Sequence, residues 1–122
     1  MNFIQKILAT VAFVSVAFFV SAQVEDPTVL VEELDQTISE TSGLAFINGQ
    51  LWTHNDSDGE PKIYCIDTTS GQVIGTKVIA GVTNEDWEDL AKDRTHLYIG
   101  NFGSASSNLQ ILRIKIEDLE NP

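Results

Sequence analysis

The 122-residue chain carries 18 Asp and Glu against seven Lys and Arg, a net charge of −11, and is 43% hydrophobic with only three Pro and eight Gly. That balance fits one globular domain at most and argues against collagen-like structure or wholesale disorder. So acidic a surface repels phosphate backbones and anionic lipid, which argues against nucleic-acid and peripheral membrane partners, while it attracts divalent cations.

Met1–Lys6 supplies one positive side chain beside the amino terminus, and Ile7–Val20 is an apolar run broken only by Thr10 and Ser15. Ser21-Ala22-Gln23 follows, so the spacing predicts a signal peptide over residues 1–22, cut after Ala22. The run is shorter than the ~20 residues a membrane span needs, and no cysteine at the cut offers a lipid anchor. A secreted or periplasmic location follows, with no membrane contact after cleavage. Loss of Lys6 leaves six basic against 18 acidic residues, a net charge of −12. The single Cys65 excludes an internal disulfide and a multi-cysteine zinc site. It alternates with Ile63 in a strand-like run, as a buried thiol does.

Residues 23–41 read as an acidic entry segment with one short strand. From Ser42 onward the patterning is β. Gly43–Ile47 and Gln50–His54 flank Asn48-Gly49, a pair suited to a type I′ hairpin because both central residues need positive φ. Asn55–Pro61 is a loop, Lys62–Asp67 a third strand, Thr68–Gly71 a turn and Gln72–Ala80 a fourth strand. The order then restarts: Leu90–Asp93, the turn Arg94-Thr95, His96–Asn101, a Ser-rich loop over Ser104–Asn108, and Leu109–Ile116.

Ser42–Ser57 laid over Glu88–Gly103, an offset of 46, matches Leu44 with Leu90, Ala45 with Ala91, Leu51 with Leu97, Asn55 with Asn101 and Trp52 with Tyr98. The third strands align at an offset of 48. Four short strands at a period in the middle forties describe a β-propeller blade. The expected fold is therefore all-β, built of four-stranded antiparallel blades. One whole blade spans residues 42–81 and an incomplete one 88–122, about 1.75 blades. Propellers close with about four to eight blades, so the expected context is a fragment of a longer propeller. The missing blades come from the rest of a longer chain or from self-association; a small sandwich is the other architecture.

In such a blade the loops alternate between two faces of the disc. One face receives the bland turns Asn48-Gly49, Thr68–Gly71 and Arg94-Thr95. The other receives Ser39–Ser42, Asn55–Asp58, Asn84–Asp89 and Asn101, a convergence of oxygens suited to a hard cation or a small-molecule or glycan ligand. Each piece also has a plain structural reading. Asp56-Ser57-Asp58-Gly59 fails the EF-hand pattern, because His54 and Cys65 occupy its first and twelfth positions. Glu85–Asp89 reads more readily as a solvated connector whose Trp87 plugs a gap between blades. Asn55 and Asn101 can serve strand ends. His54 and His96 have no partner at zinc-ligand spacing, and Ser42 has no nucleophile-elbow context.

Four ordered motifs carry a resemblance: Glu40-Thr41-Ser42-Gly43-Leu44, Trp52-Thr53-His54-Asn55-Asp56-Ser57, Asp86-Trp87-Glu88-Asp89, and Tyr98-Ile99-Gly100-Asn101-Phe102-Gly103. With them the chain resembles the N-terminal part of secreted bacterial β-propellers grouped with the calcium-dependent phosphotriesterase, gluconolactonase-like and NHL-type six-bladed families. The resemblance implies a metal-assisted hydrolase of phosphoesters or lactones with Ca²⁺ as cofactor. Glu40, Asn55, Asp56, Asp86 and Glu88 are its candidate metal ligands, and Asp86 and Glu88 its candidate catalytic carboxylates. Two departures count against a full match. Asn101 stands where the family pattern has Asp, and Ser104–Asn108 replaces a stretch that carries Asn-Asn and a later Arg. The competing expectations are a non-catalytic secreted binding module and a truncated inactive product.

Overall fold

A computed structural model describes residues 26–57 and 59–119. The signal segment with its cut after Ala22, and Asp58 of the acidic loop, lie outside the described residues. The fold is all-β, with two antiparallel sheets and no α-helix among the described residues. The first sheet runs in sequence order through β1 (Thr41–Ile47), β2 (Gln50–Asn55), β3 (Lys62–Ile66) and β4 (Val73–Val78). The second runs through β5 (Trp87–Lys92), β6 (His96–Asn101) and β7 (Gln110–Lys115), and a 3₁₀ turn over Ile116–Leu119 follows.

Local chemistry sets the turns. Asn48 and Gly49 both take positive φ, 49° and 82°, which lets the β1–β2 hairpin twist with its strands. Asp67 Oδ1 accepts the amides of Thr69 and Ser70 at 2.8 and 2.7 Å, closing the β3–β4 turn. Asp93 Oδ1 does the same for Thr95 and His96, both at 2.7 Å, and Oδ2 accepts the Tyr98 hydroxyl. Such aspartates offer the backbone a local acceptor where the ladder stops.

Two expectations shift. The entry segment holds no strand over its described residues 26–40; it is held instead by side chains, with Asp35 accepting the Val73 amide at 3.2 Å and Asn55 the Ser39 amide at 3.0 Å. An acidic stretch without alternating apolar residues has no face to bury, so it docks without pairing. The fifth strand begins at Trp87 rather than Leu90, because the run of carboxylates that looked like a connector pairs with β6 through a bulge between Trp87 and Asp89.

The repeat is reproduced in the pairing. Phe46↔Leu51, Ala45↔Trp52, Leu44↔Thr53 and Thr41↔Asn55 correspond, at the offset of 46, to Lys92↔Leu97, Ala91↔Tyr98, Leu90↔Ile99 and Trp87↔Asn101. Each first hairpin carries its bulge within the same stretch, and the β2–β3 and β6–β7 registers agree at the further offset of two.

The core lies between the sheets. Ala45, Trp52 and Cys65 sit side by side across the first sheet, with Ile47 and Ile63 on the same face, and all are buried. They pack against Leu90, Leu97 and Ile99 of the second sheet, and Trp87, Ile116 and Leu119 complete the core. Burying a Trp or Ile side chain contributes about 1.5–3 kcal/mol, so this interface holds the two sheets together. Gly43 packs tightly against β5: a Cβ there would lie 2.7 Å from Leu90 N and 2.6 Å from His54 Nε2. The opposite face of the first sheet leaves Leu44 and Phe46 each 58% exposed.

Candidate metal centre

Two loops meet where the sheets join. β2 ends at Asn55, and the next residues cross to the lead-in of β5, where Ser57 and Asp86 form an isolated antiparallel bridge. The Trp87 amide donates to Asp56 O at 2.9 Å and to Asn84 Oδ1 at 3.2 Å, while Asn84 Nδ2 donates to Asn55 O at 2.9 Å. Asn84 is buried, so its amide group stitches the two loops together without competition from water.

This stitching brings the carboxylates of Asp56, Asp86 and Glu88 together, with one oxygen of each within 4.8 Å of the others. Asp86 is buried, and its Oδ2 accepts the Ala105 amide at 2.6 Å. Its backbone is clamped as well, the amide donating to Asn101 Oδ1 at 3.2 Å and the carbonyl accepting from Gly103 N at 3.1 Å. Gly103 is required by space: a Cβ there would collide with the Asp86 carboxylate and with Glu88 Oε1. Asp56 Oδ1 is buried without a hydrogen-bond partner among the described residues. Burial pushes the Asp56 carboxyl above its ordinary value, and the adjoining Asp86 carboxyl and the charges of Glu88 and Glu40 push it the same way. No ion pair between described residues reaches the group. Three acids so placed repel one another, and a shared proton or a bound cation would relieve that repulsion.

Of the five candidate ligands, three converge and two do not. Glu40 is exposed at a left-handed turn (φ 50°) just before β1; it is near enough to raise Asp56 yet outside the group. Asn55 spends its carboxamide on the entry segment, accepting from Ser39 N and donating to Thr37 O, both at 3.0 Å. Asn101 likewise serves the backbone of Asp86. Glu85 grips the Ser-rich loop through the Ser107 amide at 2.8 Å. His54 is fully buried, its ring edge-on to Trp87 at 5.8 Å. Its Nδ1 lies 2.9 Å from Asn55 O, and since a carbonyl only accepts, Nδ1 carries the proton and Nε2 is left bare. Burial lowers its pKa from 6.5.

Sequence reasoning missed the supporting shell. The loop Gly103–Ala105 holds Asp86 by backbone amides, and backbone contacts leave no residue-type signal except the glycine. Compared with protein-family models, curated proteins and solved structures, the chain matches none of them.

Proposed function

We propose that this chain is an exported propeller-type module that binds a divalent cation, calcium, through Asp56, Asp86 and Glu88. The observation that carries the reading is the meeting of three carboxylates, from the loop after β2 and from the lead-in and start of β5, within 4.8 Å, with one buried oxygen unpartnered. Calcium takes oxygen ligands at about 2.3–2.6 Å, so oxygens on opposite sides of one ion lie about 4.6–5.2 Å apart, and this group fits within that span. Waters and backbone carbonyls complete such a shell. Because the ligands come from the loop after β2 and from the start of β5, the cation would also tie these two segments together.

Bound there, the ion would supply Lewis-acid polarisation of a phosphoryl or lactone oxygen. In that hydrolytic form of the reading, Glu88 is the better general base, because it is only half-buried where Asp86 is buried. Asp86 is buried and already accepts the Ala105 amide, which suits it to holding the ion. The four repeat-matched residue pairs of the β1–β2 and β5–β6 registers support the propeller-type context.

Calorimetric titration of the chain with Ca²⁺, paired with thermal melts, tests the binding step. Calcium at a hundredfold its Kd should add about 2.7 kcal/mol of stability, and Asp86→Asn or Glu88→Gln should abolish both the heat and the shift. Affinity should fall as pH is lowered through the raised Asp56 titration, since protons then compete for the site. No heat and no stabilisation in a folded chain would end the reading. Turnover of a phosphotriester or lactone that survives chelation would end its hydrolytic form alone.

A further inference from the structure

The turns at the other end of the strands, which read as bland in the sequence, enclose a cavity. Asn48 of the β1–β2 turn, Arg94 and Thr95 of the β5–β6 turn with His96, and Lys115, Ile116 and Glu117 at the end of β7 line about 470 Å³ between them. That volume is within the range of small-molecule sites. The backbone of its walls is fixed. Asn48 holds the left-handed conformation of its turn (φ 49°). Asp93 spends its carboxylate on the amides of Thr95 and His96 and on the Tyr98 hydroxyl. The Ile116 amide donates to Thr95 O at 2.9 Å, which seats the buried Ile116 as the apolar part of the lining.

Charge singles out one residue here. Two of the chain's seven Lys and Arg line this cavity with one of its two His, so its scarce cations gather in one place. Lys115 is balanced already, by Glu117 Oε1 at 2.9 Å and by Asp118 nearby. His96 Nδ1 lies 2.9 Å from Thr95 Oγ1 and 3.9 Å from Asp93 Oδ1. Arg94 is not balanced: among the described residues its guanidinium has neither hydrogen bond nor ion pair, and the Asn48 carboxamide has none either. The carboxylates of the metal centre do not neutralise it. They stand at the start of β5, and Arg94 follows its end, about 20 Å along a six-residue strand, well beyond a screening length of about 8 Å at physiological salt.

We infer that this cavity binds a small organic monocarboxylate, its acid group on the Arg94 guanidinium and its apolar body against Ile116. A guanidinium presents parallel N–H donors that match a carboxylate. One unbalanced cation matches one negative charge, whereas a phosphate dianion would leave a charge uncompensated beside Glu117. The Asn48 carboxamide supplies a donor and an acceptor for a second polar group on the same ligand.

The test is an NMR titration of the full chain with benzoate over the millimolar range, against benzamide, its neutral counterpart, and inorganic phosphate. Benzoate should move the amides of residues 94–96 and 115–117 and leave those of Asp56 and Asp86 in place. Benzamide should bind at least about tenfold more weakly. Arg94→Gln changes an exposed turn residue, so it should keep the parent's spectrum away from the cavity and lose at least about tenfold in benzoate affinity. Glu117→Gln leaves Lys115 unbalanced and should raise the affinity for phosphate. No shifts at these amides, equal binding of benzamide, or benzoate affinity unchanged by Arg94→Gln would each overturn the inference. Phosphate bound more tightly than benzoate by the parent chain would overturn the assignment to a monoanion.

Discussion

Gly43→Ala isolates the packing of one sheet on the other. The new methyl would sit 2.6 Å from His54 Nε2, 2.7 Å from Leu90 N and 2.9 Å from Asp89 C, where ordinary contact begins near 3.4 Å. Two of those three atoms are backbone, and the third belongs to a ring wedged against Trp87, so none can swing aside. The sheets must part by roughly half an ångström or more, and a gap of that size forfeits about a quarter to a half of each dispersion contact across it. Overpacking of this kind costs about 1–3 kcal/mol, and about 2 kcal/mol lowers the Tm of a domain this size by about 8–16 °C. Gly59→Ala is the control: its Cβ would meet nothing nearer than 3.9 Å and should be neutral or stabilising by about 0.4–1 kcal/mol. Thermal melts followed by circular dichroism read both. A Gly43→Ala variant that melts within about 2 °C of the parent would show that β1 and β5 do not pack as described.

Three further outcomes follow from the same geometry. His54 is buried neutral with a depressed pKa, so its contribution is present above its unfolded value of 6.5 and is lost as pH falls below it; the fall in Tm over that acid range should flatten in His54→Phe. Gly103→Ala should weaken calcium binding at least about tenfold while Gly59→Ala leaves it unchanged, because only the first pushes on Asp86 and Glu88; equal affinities in the two variants would remove the Gly103 loop from the site. Cys65 is fully buried and its thiol pKa is raised by burial, so a thiol reagent should label it only as fast as the chain unfolds; rapid labelling in native buffer would contradict the core.

Much of this protein is legible in its sequence, and the reason is locality. Asn48-Gly49 specifies its turn because positive φ is a property of those two residues. The offset of 46 specifies strand pairing because register is set by alternation and turn length, both local. The acidic runs marked the loops whose carboxylates meet. The tertiary structure alone decided which faces are covered. Leu44 and Leu90 are the same residue at the same repeat position, yet Leu44 is 58% exposed and Leu90 only 6%, because burial depends on what stacks against a strand rather than on the strand. It also sorted the polar residues. Asn55 and Asp56 are neighbours, but the amide ties down the entry segment while the carboxylate reaches Asp86 and Glu88 across the seam. That division rests on the direction of two side chains and on backbone amides from Gly103 and Ala105, long-range geometry that no spacing of residues encodes.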